Sequence, residues 1–309
     1  MTNLPKPLVE LDEARSFLDR YHGSAVDELE ALSGGSWSAA FGYRAGDDEL
    51  VARFGRDRGW FENDRRMERF ASEDLPIPHV RDVGDATNGM YFAISERAYG
   101  RFLEDVEPSE SEALSGIVTR LLRALREAPE EEASYTWRQW LLSGLDRDGR
   151  DRRWWAEIGA DPAIAPIADA AQARVRELLD ACPEKRELVH GDLVNRNVLV
   201  ADDVSALRAV FSWKCSVRGD ALYDIAWLTF WGRWGLPGID AIDAWSLRPD
   251  DGSPDAAIRH HCYELHIGAT HLCWNMQIGD AAGLDDVAKQ LTRLLESGPR
   301  DLCAPRSPT

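Results

Sequence analysis

Apolar positions recur three and four apart over Leu8–Tyr21, at Leu11, Ala14, Phe17 and Leu18, which predicts an amphipathic helix. The pattern then shortens. Strand-like segments flank a Gly/Ser turn between Leu32 and Tyr43, and Glu49–Phe54 predicts a strand carrying a lone cation, Arg53. A helix is expected from about Trp60 to Ser72, with Asp64 inside it, ending before Leu75-Pro76-Ile77-Pro78. Met90–Ser95 reads as a further strand. From there the period turns helical. Leu114, Ile117, Val118, Leu121, Leu122 and Leu125 form one stripe that opens on a capping box, Ser109 with Glu112, and stops at Pro129. Trp137–Leu145, Ile167–Leu179, Ile258–Gln277 and Leu284–Leu295 predict four more helices. Short apolar runs at Leu188–Val189 and Val198–Val200 and a strand over Ala206–Trp213 interrupt them. A β-rich first third before a helical remainder predicts an α+β protein with two lobes.

Composition narrows the class. The chain has 309 residues, 44% apolar and 29% charged, which suits a soluble globular protein of about two domains. Residues 1–10 lack an apolar signal region, and the aromatic run Ala221–Leu236 is short and broken by Asp224 and Arg233, so neither secretion nor a membrane span is expected. Five cysteines without a C-x-x-C pair fit a reduced, cytoplasmic protein. A net charge of −18 argues against a nucleic-acid partner. Only Lys6, Lys185, Lys214 and Lys289 are lysines. An acidic, Lys-poor surface suits a cationic ligand or high salt, and a GC-rich genome gives the same Arg bias. The acidic Glu127–Glu132 segment reads as a solvated loop. His260, His261, Cys262, His266, His271 and Cys273 crowd one helix, yet no two histidines stand four apart, so ordinary helix residues are expected rather than a zinc site.

The chemistry concentrates between the runs at Leu188 and Val198. His190-x-Asp192, with Asn197 after four intervening residues, has the catalytic-loop spacing of protein kinases, in which the Asp meets the acceptor hydroxyl and the Asn holds a metal ion. Phosphoryl transfer asks a protein mainly to position an oxygen and neutralise phosphate charge, so a carboxylate and an amide on one loop make chemical sense. Ser33, Gly34, Gly35 and Ser36 lie in the turn after Leu32, where small residues let backbone amides approach phosphates. Arg53 and Asp64 match the strand cation and helix carboxylate that hold nucleotide phosphates in kinase-like folds; two unrelated surface charges would give the same spacing.

These residues resemble the aminoglycoside phosphotransferases, and within them the hygromycin B subgroup. The resemblance runs through Phe70-Ala71-Ser72 into Leu75–Pro78, Ile94-Ser95 with Arg97-Ala98 and Gly100, Tyr135–Arg138, Cys182-Pro183-Glu184, Leu188-Val189-His190 with Asp192, and Phe230-Trp231 with Trp234. It implies a kinase-like fold with a nucleotide-binding lobe over residues 1–97 and a catalytic, substrate-binding lobe over 98–309. It further implies ATP at a hinge formed by Ser95, Glu96, Arg97 and Ala98, a magnesium ion (Mg2+) at Asn197, and a cationic aminoglycoside as the acceptor of a monomeric enzyme. Asp192 would be the catalytic carboxylate, His190 its support, and Arg53 with Asp64 the phosphate-binding pair. Asp192, Arg196, Trp231 and Trp234 would face the sugar, although core packing also accounts for at least one of the tryptophans. Asp220 and Asp224 would brace the catalytic loop.

One position departs from the family. Relatives read Ile/Val-x-Asp-Trp after the catalytic loop, and that Asp is the main magnesium ligand; here Val210-Phe211-Ser212-Trp213 puts Ser212 in its place. A neutral hydroxyl lacks the charge that makes a carboxylate a good magnesium ligand. Weakened metal–ATP binding or turnover is therefore expected. The alternatives are an impaired kinase-like binding protein, or a kinase for another acceptor such as a macrolide, choline or a metabolite.

Overall fold

The computed structural model describes residues 8–33, 37–232, 234, 236–248 and 255–299. Its first lobe is a five-stranded antiparallel sheet with one helix packed on each face. In chain order come α1 (Leu11–His22), β1 (Asp27–Leu32), β2 (Ala39–Ala45), β3 (Asp48–Gly55), α2 (Arg58–Met67), β4 (Val80–Asp85) and β5 (Tyr91–Glu96). The strands lie in the order β1-β2-β3-β5-β4.

The two-residue period of β3 does the sorting. Leu50, Ala52 and Phe54 enter a core with Ala14 and Leu18 of α1, whereas Val51 and Arg53 face the opposite way, into a cleft. The register sets Arg53 between Ala40 of β2 and Ala93 of β5, so small neighbours leave its guanidinium room to extend.

The second lobe begins at β6 (Arg101–Phe102) and holds α3 (Ser111–Glu127), α4 (Trp137–Gly144), α5 (Arg152–Ala160) and α6 (Ala165–Leu178). Four short strands follow: β7 (Glu187–Val189), β8 (Val198–Val200), β9 (Leu207–Val210) and β10 (Val217–Gly219). The chain closes with α7 (Leu222–Trp231), α8 (Pro237–Asp240), α9 (Ala256–Ile278) and α10 (Ala281–Ser297). β7 pairs with β10, and β6, β8 and β9 form a three-stranded sheet. α9 is the axis of this lobe, buried nearly all round against α5, α6, α7 and α10. The two-lobed α+β architecture expected from the pattern is the one observed.

Local differences have local causes. The strand expected to reach Trp213 stops at Val210, because Ser212 takes a left-handed backbone, φ 68°, and a 3-10 turn follows it. The capping box lies two residues earlier than expected, on Glu107 and Glu110 of a 3-10 turn, where Glu110 also pairs with Arg101. β4, β6, β10, α5, α7 and α8 have no counterpart in the predicted elements. The acidic loop is more than solvated: Glu131 pairs with Arg69 and Arg218, tying the two lobes. The His/Cys-rich helix uses its imidazoles in the core, where His266 meets Leu141 O at 3.0 Å and Tyr223 Oη at 3.0 Å. Among the described residues no helix is long and apolar enough to cross a membrane, and the described cysteines are unpaired.

Candidate active site

A cleft of about 350 Å³ runs between the lobes and collects most of the predicted site residues. Its floor is the loop from His190 to Asn197, between β7 and β8. Two backbone amides, those of His190 and Gly191, donate to the two oxygens of Asp224, each at 2.8 Å, so the first turn of α7 fixes the start of the loop. Gly191 has φ +74°, and a Cβ there would lie 2.8 Å from Cys215 O; only glycine fits.

The His190 ring has one possible arrangement. Nε2 faces the carbonyl of Phe211 at 3.2 Å and must donate, and Nδ1 faces the amide of Asp192 at 3.2 Å and must accept. Burial lowers its pKa to about 4, which keeps the ring neutral. His190 therefore supports the loop, and its ring nitrogens are both taken up by backbone groups.

Asp192 is held from two sides. Asn195 Nδ2 donates to its Oδ1 at 2.7 Å, and Asn197 Nδ2 donates to its backbone carbonyl at 2.8 Å. Burial raises its pKa to about 6, against the pull of Lys214, Asn195 and Asn197. Asn195 and Arg196 are both left-handed, φ 64° and 61°, a conformation rare outside glycine that concentrates here with Ser212.

Across the cleft, Arg53 Nη2 meets Asp64 Oδ2 at 2.6 Å, and the other Asp64 oxygen accepts the amide of Trp213 at 2.7 Å. Asn63 adds a contact to Trp213 O at 2.5 Å. α2 thus clamps the turn after β9 and aims Arg53 over it. Ser33 lines the same space, as do Ser95, Glu96, Arg97 and Ala98 at the crossing between lobes. Arg97 is paired with Glu30 at 2.6 Å. Val51 above and Leu199 and Phe211 below give the hinge end apolar walls. Gly34, Gly35 and Ser36 lie outside the described residues.

The residues expected to face an acceptor divide. Arg196 lines the cleft with its amide on Glu104 Oε1 at 2.6 Å and its guanidinium on Asp105 at 2.9 Å. Trp231 and Trp234 do not line it; they are half-buried beside His271 and Phe230 and pack on the core of the second lobe. The tryptophans that line the cleft are instead Trp213, in the turn after β9, and Trp37 and Trp274, stacked at 4.2 Å between ring centroids across the lobes. Asp220 is also away from the cleft, fully buried and bound to Tyr263 Oη at 2.9 Å and to Arg259. Of the two bracing aspartates, Asp224 contacts the catalytic loop.

Lys214 is a further cleft residue that sequence reasoning passed over, as it did Trp37 and Trp274. Its ammonium lies 4.0 Å from Asp192 Oδ2 and 3.8 Å from the centre of the Trp37 ring, with the side chain 8% exposed. Its signal was present: one of four lysines, two residues after the substituted Ser212. Together these groups define what a divalent cation would meet. Ser212 and Asn197 offer neutral oxygens, and Asp192 offers a carboxylate that already faces an ammonium. Magnesium usually takes one or two carboxylates along with phosphate and water. This donor set does not fit a magnesium ion gripped by the protein itself.

Residues 28–254 match the phosphotransferase enzyme family. The chain is 31% identical over 301 residues to hygromycin-B 4-O-kinase of Escherichia coli, covering 92% of this chain and 84% of that protein. It also matches a thermostable mutant of aminoglycoside phosphotransferase APH(4)-Ia in ternary complex with ADP and hygromycin B. There the TM-score is 0.82 at 27% identity, over 93% of this chain and 99% of that one. The GDP and kanamycin complex of APH(2")-IIia, at 14% identity and a TM-score of 0.66 over 92% of this chain and 98% of that one, shares the fold.

Proposed function

The chain belongs to the phosphotransferase enzyme family, and on that premise we propose that it transfers the γ-phosphoryl group of ATP to a hydroxyl of a hygromycin B-like aminoglycoside. The observation that carries this reading is the single cleft onto which Asp192 and the Arg53–Asp64 pair both open. ATP would lie with its base between Val51 and Leu199 near Ser95–Ala98, residues 1–97 covering it from above, and its phosphates under Arg53. The acceptor would come from the side of residues 98–309 and meet Asp192 and Arg196. The excess of acidic residues would favour a polycationic sugar.

In the transfer, the acceptor oxygen forms a bond to the γ-phosphorus. The bond from that phosphorus to the β,γ-bridging oxygen breaks, and its electron pair leaves with ADP. The hydroxyl proton passes to Asp192, whose raised pKa makes it a better proton acceptor than an exposed carboxylate. His190 and Asp224 fix the loop so that the carboxylate points into the cleft. A magnesium ion accompanying ATP would supply charge shielding, with Asn197 and Ser212 as the neutral side chains beside it.

Ser212 favours a second reading, an impaired kinase that binds its ligands without turnover. The two separate in one assay of ADP release with hygromycin B, run on the natural chain and on Ser212→Asp. Turnover by the natural chain supports the enzyme. Turnover by the variant alone supports the impaired form, and silence from both with folded protein sinks the aminoglycoside reading in favour of another acceptor.

A further inference from the structure

At the turn after β9 the cleft is offered a hydroxyl, that of Ser212, and two residues on an ammonium, that of Lys214. Three arginines line the cleft, and each is matched: Arg53 to Asp64, Arg97 to Glu30, Arg196 to Asp105. Lys214 is different. Its nearest carboxylate is the reactive one, Asp192, and at 4.0 Å the two attract without being locked in a hydrogen bond. The flat face of Trp37 fixes the ammonium from the opposite side. Only 8% of the side chain is exposed, so its charge acts through little solvent.

The backbone at Ser212 tells the same story. Its left-handed conformation, φ 68° and ψ 55°, is one that Asp and Asn tolerate better than Ser, so the main chain is shaped as if for the residue it lacks. The turn therefore presents a hydroxyl and a cation to the cleft, and no carboxylate of its own.

We propose that the Lys214 ammonium takes the place of the protein-held metal ion, neutralising the phosphates of the bound nucleotide directly. A lysine is a compact point charge with three donors, suited to phosphate oxygens that would otherwise be bridged by a cation. It keeps its protons throughout; the bond making and breaking are those given above, and Lys214 only offsets the charge that collects on the departing ADP. The inference rests on the reading of the cleft as a nucleotide site, and its consequence is that nucleotide binding depends little on magnesium.

Calorimetric titration with ADP, in magnesium and in EDTA, tests it without turnover. The natural protein should bind ADP with affinities within about threefold in the two buffers, a difference of under ~1 kcal/mol. Lys214→Met should lose metal-free binding about tenfold or more, and Lys214→Arg should retain most of it. The double variant Ser212→Asp, Lys214→Ser should bind well only with magnesium, by about tenfold. Circular dichroism and melting confirm that each variant is folded. Two results overturn the inference: natural protein that needs magnesium for tight ADP binding, or Lys214→Met that binds metal-free ADP as the natural protein does. Absence of ADP binding in both buffers is a different result, since it removes the nucleotide site itself.

Discussion

Asp192 is where a single side chain decides the chemistry. Replacing it with Asn keeps its size and its neighbour Asn195 but removes the proton acceptor. kcat should fall by about 10²–10⁴-fold, while ADP affinity and melting temperature change little; an active Asp192→Asn would reassign the base. The carboxyl titrates at about 6. The sign is that of an acid that must be ionised to work, so kcat/KM should fall as pH drops through about 6 and level off above 7, which a pH–rate profile reads directly. At this scale the sequence was informative wherever spacing carries the chemistry. His190, Asp192 and Asn197 sit on one loop, and Arg53 and Asp64 sit on a strand and the helix after it. Lys214 escaped because a cation has no place in the expected motif. Trp274 escaped because α9 offers no local signal that its tryptophan reaches the opposite lobe.

Secondary-structure elements matter here chiefly as clamps. Asp224, on the first turn of α7, satisfies two amides of the catalytic loop with its two oxygens. Asp224→Asn leaves one acceptor for two buried donors and should cost about 1–3 kcal/mol of stability, with a larger loss in kcat than in ADP affinity. Chemical denaturation and steady-state kinetics measure the two effects. Asp64 joins β3, α2 and the turn after β9, and Asp64→Ala strands Arg53 and the amide of Trp213. About 3 kcal/mol of destabilisation is expected, with weaker ATP binding; a neutral outcome would mean that the clamp carries no stability. The amphipathic helices α1 and α3 were legible because one stripe is apolar. α9 was predicted within two residues at its start, but its role as an axis was not, since a helix buried all round has no face to read. β10 is three residues long and takes its register from β7, which lies before the catalytic loop, whereas β4 pairs with the neighbouring β5 and is hidden by its polar sequence, Val-Arg-Asp-Val-Gly-Asp.

Across the whole molecule, buried histidines set the response to acid. His190 and His266 are fully buried and His271 is half-buried, and burial lowers each to about 4. Above the ordinary value near 6.5 they are neutral whether the chain is folded or not, and they carry no penalty. As pH falls from there towards 4, the unfolded chain takes protons that the folded chain refuses, so stability is lost. Each histidine contributes a slope of up to about 1.4 kcal/mol per pH unit in that window. The raised carboxyls of Asp192 and Asp224 act in the opposite sense, because the folded protein holds their protons more tightly. His266→Gln isolates one histidine: the stability gap between natural protein and variant should shrink on the acid side by about that slope, and an unchanged gap would show that His266 titrates normally. The two-lobed plan was legible from the change of period near residue 97, but the contacts between lobes were not. Trp37 on Trp274, and Glu131 between Arg69 and Arg218, join residues that no local pattern connects.

The central claim, that this cleft moves a phosphoryl group from ATP to an aminoglycoside hydroxyl with Asp192 as the base, is tested most directly by the mass of the acceptor. Hygromycin B incubated with ATP and the natural protein should gain one phosphate, with one ADP formed for each, and Asp192→Asn should leave it unmodified over the same period. ATP consumed without a heavier sugar, or the same phosphorylated sugar made at an undiminished rate by Asp192→Asn, would contradict it.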